Sequence, residues 1–401
     1  MKIMMISSEA VPFAKAGGLG DMVSALSAEL ARQGHDVRIV LPRYYSVDPG
    51  RLRRIGGALG VPMGYEEEWC AVAEARMPGS DVPVYFLDHQ ALFGRDGIYG
   101  TKTEPEFDDN LRRFTLLSRG ALQLAKMLRW KPEVVHAHDW PAALTPVYLN
   151  TLERNGWFED SGSVLTIHNL AHQGIFAKEE LVHTLLGWEQ FHGAGFEYHD
   201  RINLLQAGLR NADVLTTVSP TYAREIQSPE LGEGMDGLLR HRGPDLVGVL
   251  NGIDYEVWNP ETDEHLPANF TAADVDGKVA CKEALQEVMG LEVDAGTPLY
   301  AMRYGTIPIV RRTGGLADTV ASYDEPTGEG TGFTFDLLTP SAIYNTVGWS
   351  LWTWHNRPEH LAAMQRRVMA ERFSWQVSAA RYAEIYQGAV DRRAGRVSRT
   401  W

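Results

Sequence analysis

Cysteine is almost missing. Cys70 and Cys281 are the only two in 401 residues, and neither has a CxxC partner or a His-rich neighbourhood. That pattern argues against a disulfide scaffold and a structural zinc site, and two reduced thiols in the cytoplasm are expected. Long apolar runs are missing too. Ile3-Met4-Met5-Ile6 is too short for a signal-peptide core and is soon followed by Glu9 and Lys15. No stretch approaches the ~20 apolar residues of a membrane helix, so no membrane partner is expected. Positive charge is in deficit, with 38 Lys and Arg against 52 Asp and Glu and a formal charge of −14. Nucleic-acid affinity comes mostly from clustered cations, so no nucleic-acid partner is expected either. An acidic surface still leaves room for a local basic pocket that holds an anionic small molecule. Internal repeats and low-complexity tracts are absent.

What is present is a regular alternation. Ile3 to Ile6 reads as a buried strand, followed by the Gly-rich turn Ala16-Gly17-Gly18-Leu19-Gly20. Leu19, Met22, Val23, Leu26 and Leu30 then fall on one helical face, and Gly34 stands where a helix stops. Further strands are expected over 36–41, 82–87, 134–138, 163–168, 214–219 and 247–250, with helices such as Asn110 to Leu128 and Ile202 to Asn211 between most of them. Strands alternating with helices predict an α/β chain built on a parallel sheet. In such sheets ligands bind beyond the C-terminal strand ends. The length predicts two domains of ~100–200 residues. After about Tyr255 the texture changes. A surface linker, a helix from Gly277 to Met289, strands at 307–310 and 332–336, and helices from Pro340 to Ala389 are expected. Two or three strands are few for a second sheet, whose usual complement is ~4–6.

Three loops carry chemistry. Lys15-Ala16-Gly17-Gly18-Leu19-Gly20-Asp21 lies between a strand and a helix. Glycines there let backbone N–H groups approach an anion, the helix start adds partial positive charge, and Lys15 adds a full one. Alone, such a turn is weak evidence, since a purely structural tight connection is the other reading. A dinucleotide fingerprint fits poorly, because Gly18-x-Gly20 is followed by Val23 and the second strand ends in Leu41-Pro42-Arg43-Tyr44 without an acidic residue. A Walker loop is absent. His136-Ala137-His138-Asp139-Trp140 and Thr166-Ile167-His168-Asn169-Leu170 end two other strands and should open on the same rim. His136 and His138 share a face by the two-residue period of a strand, but spacing supplies no third metal ligand for them and His168. Converging polar, ring-bearing loops suit a polyhydroxylated ligand, with Trp140 and Tyr99 able either to face sugar rings or simply to pack. Asn251-Gly252-Ile253-Asp254 and Thr313-Gly314-Gly315-Leu316 are further anion signals, the latter a strand–Gly-Gly–helix turn in the second domain.

Taken together these segments resemble the glycogen and starch synthases. The loop at Lys15 matches their K-T/A-G-G-L-G-D loop, and His136 to Trp140, Thr166 to Gly174, Val249 to Trp258 and Tyr300 to Val320 follow in family order. The resemblance covers nearly the whole chain. It implies a GT-B fold of two Rossmann-like domains: 1–254, a residual and incomplete 255–355, and helices over 356–401 packing back on the first domain. It implies retaining transfer of glucose from ADP-glucose to the non-reducing end of an α-1,4-glucan, without metal or other cofactor. It implies that Lys15, Gly17 and Gly18 hold the donor diphosphate. His168 and Asp139 would be the catalytic residues, His168 with its backbone carbonyl against the transferring glucose. Asp139, Asp21 and Trp140 would line the acceptor side, Asn169 and Asn251 would bond sugar or phosphate oxygens, and Thr313, Gly314 and Gly315 would complete the phosphate contact.

One departure is large. The family continues after Gly296-Thr297-Pro298-Leu299 into S-R-L-x-x-Q-K-G, whose Arg and Lys clamp the diphosphate, and later into E-P-C-G-L, whose Glu contacts the glucose. Neither segment occurs in these 401 residues, and Leu299 joins directly to Tyr300-Ala301-Met302-Arg303-Tyr304-Gly305. Roughly a hundred residues of a normal second domain are missing at this point. The chain therefore reads as a glycogen synthase by descent, with two alternatives: a catalytically dead remnant that binds glucan or nucleotide, or another GT-B transferase such as a sucrose or trehalose-phosphate synthase.

Overall fold

The computed structural model describes residues 1–193, 195–278, 280, 281, 284 and 302–396. The junction at Leu299 and Tyr300, and most of the helix expected from Gly277 to Met289, lie outside the described residues. The chain divides into two compact units. The first holds Met1–Val218, Ala223–Val249 and Ser378 onward, and the second holds Ser219–Tyr222 and Leu250–Val377.

In chain order the strands are β1 (Lys2–Ile6), β2 (Asp36–Pro42), β3 (Arg53–Met63), β4 (Glu66–Arg76), β5 (Pro83–Asp88), β6 (Val134–His138), β7 (Gly162–Ile167), β8 (Ile175–Ala177), β9 (Glu197–Tyr198), β10 (Arg201–Asn203), β11 (Val214–Thr217), β12 (Leu246–Gly248), β13 (Ile309–Arg311) and β14 (Phe333–Phe335). Nine of them form the sheet of the first unit, in the order β12-β11-β7-β6-β1-β2-β5-β4-β3. The run from β12 to β5 is parallel. β1, β6 and β7 are covered on both faces, so β1 appears in the sequence as a short unbroken apolar run, while β6 and β7 also carry buried polar residues such as His136, His138 and Thr166. Ile3, Met5, Ile6, Val134, Val164 and Leu165 are all fully buried.

The hairpin β3–β4 was not foreseen. It adds antiparallel pairs at one edge. Gly56, Gly57, Gly60 and Pro62 on one strand and Glu66, Glu67 and Glu68 on the other dilute the usual strand composition. An edge ribbon with one solvated face tolerates that composition. β8, β10 and β9 form a separate small antiparallel sheet.

Of the C-terminal helices expected over 356–401, Pro358–Ala370 lies in the second unit and residues from Ser378 lie in the first. The division follows the apolar residues. Leu361, Met364 and Val368 join Met302, Val310 and Phe333 in the second unit's core. In the helix Trp375–Arg393, Tyr382, Ile385, Tyr386 and Ala389 are buried at helical spacing in the first unit. Gly162 makes this docking possible, since a Cβ there would stand 2.7 Å from the carbonyl carbon of Ala389. Arg392 donates to the carbonyl of Asp213 at 2.8 Å and pairs with Asp245. Arg393 donates to the carbonyls of Leu149 at 2.8 Å and Glu159 at 3.0 Å.

Among its described residues the second unit holds two strands, β13 and β14, paired in parallel. Its helix Pro340–Asn356 turns an apolar stripe outward. Ile343, Val347, Leu351 and Trp354, spaced for one helical face, are exposed, as is Tyr344, whereas Thr346 and Thr353 are buried.

Candidate active site

The order of the first sheet reverses at β1, which pairs with β2 on one side and β6 on the other. Ligand sites of open α/β sheets form at such a switch point, beyond the strand C-termini. The loops after β1, β6 and β7 open there because these three parallel strands are neighbours.

After β1 the chain runs through Ser7 and Ser8 to the helix Gly18–Arg32. Lys15 reaches Asp21, with Nζ 2.9 Å from Oδ1, and both side chains are about half exposed. An exposed pair of this kind is worth little, so an incoming anion can draw Lys15 away. The turn is held from below by Glu9, which sequence reasoning passed over. Glu9 is buried, and its Oε2 accepts the backbone N–H groups of Ala16 at 2.6 Å and Gly17 at 3.0 Å. Its Oε1 accepts the Tyr99 hydroxyl at 2.7 Å. The only sequence signal was a carboxylate three residues beyond a buried strand end. Gly20 has little room for a side chain, with the Ala14 carbonyl oxygen 3.1 Å from its Cβ position. An open cleft of about 590 Å³ beside this loop is lined in part by Phe13, Lys15, Ala16, Tyr44 and Tyr99.

β6 delivers His136 and His138 on one face, their rings 4.1 Å apart. Asp139 follows with a left-handed backbone, φ 53°. Its Oδ1 accepts the N–H of His168 at 2.7 Å and that of Asn169 at 3.4 Å, tying the end of β6 to the end of β7. Asn169 bends its own loop by accepting from the N–H of Ala171. His138 Nδ1 lies 3.2 Å from His168 Nε2. His136 is spent elsewhere, on the hydroxyls of Tyr386 at 2.8 Å and Thr166 at 2.6 Å. The three imidazoles therefore bond to each other and to hydroxyls instead of converging on one point. Among the described residues no group of three His, Cys, Asp or Glu side chains is placed to hold a metal. Trp140 packs edge-on to Phe114 at 4.8 Å between Tyr99 and Phe176. Gly174, at φ 64°, fits against its indole where a Cβ would stand only 2.5 Å from the ring.

Burial sets the protonation of this corner. It lowers the His136 and His168 imidazoles to about 3 and holds His138 well below its ordinary value, so all three are neutral. It raises the Asp139 carboxyl to about 7, against the pull of the two backbone N–H bonds and with help from Glu9. The folded carboxyl thus holds its proton more tightly than an unfolded one near 3.8. Its contribution to folding is complete below about pH 4 and is lost as pH rises through 7. Asp139→Asn keeps the Oδ1 acceptor without the charge. It is expected to match the parent at pH 4 and to be more stable by at least ~1 kcal/mol at pH 8. Urea unfolding at the two pH values checks this, and an equal gap at both would refute it.

The structure thus brings together Lys15, Gly17, Gly18, Asp21, Asp139, Trp140, His168 and Asn169 in the first unit. Asn251, Thr313, Gly314 and Gly315 belong to the second. There Asn251 Oδ1 is buried with no hydrogen-bond partner among the described residues. Gly314, at φ 49°, opens the short helix Gly314–Thr319, and Thr313 stands at its cap position. The Cβ position of Gly315 lies 3.7 Å from Leu250.

A profile of the starch synthase catalytic domain matches residues 2–241. The glycogen synthase of Treponema denticola is 40% identical over 488 aligned positions, covering 98% of this chain and 99% of the relative. The chain belongs to the glycogen and starch synthases. Glycogen synthase 1 of Geobacter sulfurreducens is likewise 40% identical over 489 positions, covering 98% of this chain and 97% of that one. Among solved structures, the catalytic domain of starch synthase IV from Arabidopsis thaliana bound to ADP and acarbose is similar. Its TM-score is 0.86 and its identity 27%, and the match covers 97% of this chain and 99% of that one. A sucrose-phosphate synthase from Thermosynechococcus elongatus, at 15% identity and TM-score 0.53, shares the fold. The chain is thus a GT-B glycosyltransferase of a family that uses a nucleotide-sugar donor and a glucan acceptor. Both bacterial alignments are longer than the 401-residue chain, so each relative has residues with no counterpart here. No helix among the described residues is long and apolar enough to cross a membrane.

Proposed function

We propose that the first unit carries one wall of a cytoplasmic site for retaining transfer of glucose from ADP-glucose to the non-reducing end of an α-1,4-glucan. Breaking the bond between sugar and diphosphate builds negative charge on the leaving phosphate. A site without metal must meet that charge with cations and aimed N–H groups. Lys15, bound only to an exposed partner, and the Gly17–Gly18 turn at a helix start supply them on this wall. His168 stands against the transferring glucose with its backbone carbonyl. Asp139 fixes that carbonyl by holding the N–H groups of His168 and Asn169. Asp21 and Trp140 face the acceptor. Asn169 and Asn251 bond sugar or phosphate oxygens, and Thr313, Gly314 and Gly315 meet phosphate from the second unit. The observation that carries the reading is the Asp139–His168 tie beside the Lys15 loop, at the switch point of the sheet.

Calorimetric titration with ADP and ADP-glucose tests it. Binding is expected, and Lys15→Ala should weaken ADP about tenfold, the loss of one hydrogen bond to a charged group. No heat at millimolar ADP, or an unchanged affinity in the variant, would count against it. UDP in a parallel titration reads base preference.

A second reading, a remnant that binds glucan without elongating it, is favoured by the length of the relatives' alignments. Retention on immobilised glycogen without incorporation of glucose distinguishes it from the first.

A further inference from the structure

The pair of imidazoles at the end of β6 and β7 holds more information than its contact distance. A neutral imidazole has one N–H and one lone-pair nitrogen, and its partners decide which is which. His138 is fully buried. Its Nδ1 has one neighbour, His168 Nε2 at 3.2 Å. Its Nε2 is buried with no hydrogen-bond partner among the described residues. A proton on that Nε2 would be a buried donor without an acceptor, a state that costs ~1–3 kcal/mol. It would also turn Nδ1 into the acceptor of the pair. A bare lone pair at Nε2 is the less costly orphan, because buried donors are satisfied more strictly than buried acceptors. The His138 proton therefore belongs on Nδ1, where it is donated to His168 Nε2.

The consequence passes to the next ring. His168 accepts at Nε2, so its own proton must sit on Nδ1. No described residue bonds to His168 Nδ1, and the side chain is part exposed. We infer that His138 is a positioning residue that holds His168 in its Nδ1–H form and so presents a hydrogen-bond donor to the oxygen-rich ligand of this site. The ligand half of the statement rests on the proposed function; the tautomer half does not.

The placement of His138 has visible support. Its ring lies on that of His136, whose two nitrogens are taken by Tyr386 and Thr166, and Thr166 is bonded in turn to Thr216 at 2.6 Å. Tyr386 comes from the C-terminal helix and Thr216 from β11. The orientation of His168 is thus fixed through a buried stack that begins on the helix Trp375–Arg393. The lowered pKa values of all three histidines agree with a chain of neutral rings.

The test is nitrogen–proton correlation spectroscopy of the full chain labelled at histidine. His168 is expected to show a protonated Nδ1 and a lone-pair Nε2. In His138→Phe the same residue should change to the Nε2–H form that free imidazole favours. In His138→Asn the side-chain amide N–H stands near the place of Nδ1–H, and the parent pattern should return. That rescue separates positioning from a merely structural role, which would leave the tautomer alone in every folded variant. A parent spectrum with the proton on His168 Nε2 overturns the inference without any variant, as does an unchanged tautomer in folded His138→Phe. Addition of ADP-glucose should shift the His168 Nδ1–H proton. Failure of that step alone, with the tautomer as stated, overturns the proposed function and leaves the role of His138 standing.

Discussion

Supplied with ADP-glucose and glycogen, the purified chain is expected to incorporate glucose at least about a thousand-fold more slowly than the Treponema denticola glycogen synthase. A single donor aimed at developing charge is worth ~10²–10³ in rate. By the family resemblance, an Arg and a Lys that clamp the diphosphate and a Glu that contacts the glucose come from segments that do not occur in the 401 residues. The relative's 488-position alignment agrees that a stretch has no counterpart here. The second unit agrees as well, with two paired strands among its described residues and an outward apolar stripe on the helix Pro340–Asn356. Insertion of the relative's segment between Leu299 and Tyr300 should restore turnover. Incorporation by the unmodified chain at a rate comparable to the relative would refute the prediction.

Gly162→Ala is expected to unfold the junction between β7 and the C-terminal helix at a cost of about 3 kcal/mol, the upper range for overpacking a filled core. The methyl group would meet the Ala389 carbonyl carbon at 2.7 Å and the Val390 nitrogen at 2.8 Å. Both are main-chain atoms of a helix already fixed by Arg392 and Arg393, so no side chain can swing aside. Displacing the helix also withdraws Tyr386 from His136. The urea midpoint should fall, and limited proteolysis should cleave near Val377 faster than in the parent. A change under about 0.5 kcal/mol, the size of an ordinary surface substitution, would show that the helix backs away freely.

The sheet was legible where covering on both faces forces an unbroken apolar run, as in Ile3 to Ile6. The ends of those strands were legible as well, because Lys15 to Asp21, His138-Asp139 and His168-Asn169 place unusual residue types at predicted turns. The hairpin Arg53 to Arg76 was not, since an edge ribbon rich in glycine and glutamate has neither an apolar run nor a clean alternation. Glu9 was missed for a different reason. Its meaning lies in the backbone of residues 16 and 17 and in a tyrosine at 99, and no local pattern encodes those partners. The bond between His136 and Tyr386 spans 250 positions and was equally invisible.

That span also sets an order of events during synthesis. His136 is made early, and its hydroxyl partner Tyr386 is translated 250 residues later. At ~5–20 residues per second, the ribosome needs on the order of ten seconds to pass from Val249 to Tyr386. Through that interval the first unit has its sheet but not its closing helix, and the slot over His136 and Gly162 stays open. The unit that carries Lys15 and His168 is completed only after Leu250–Val377 of the second unit has been made.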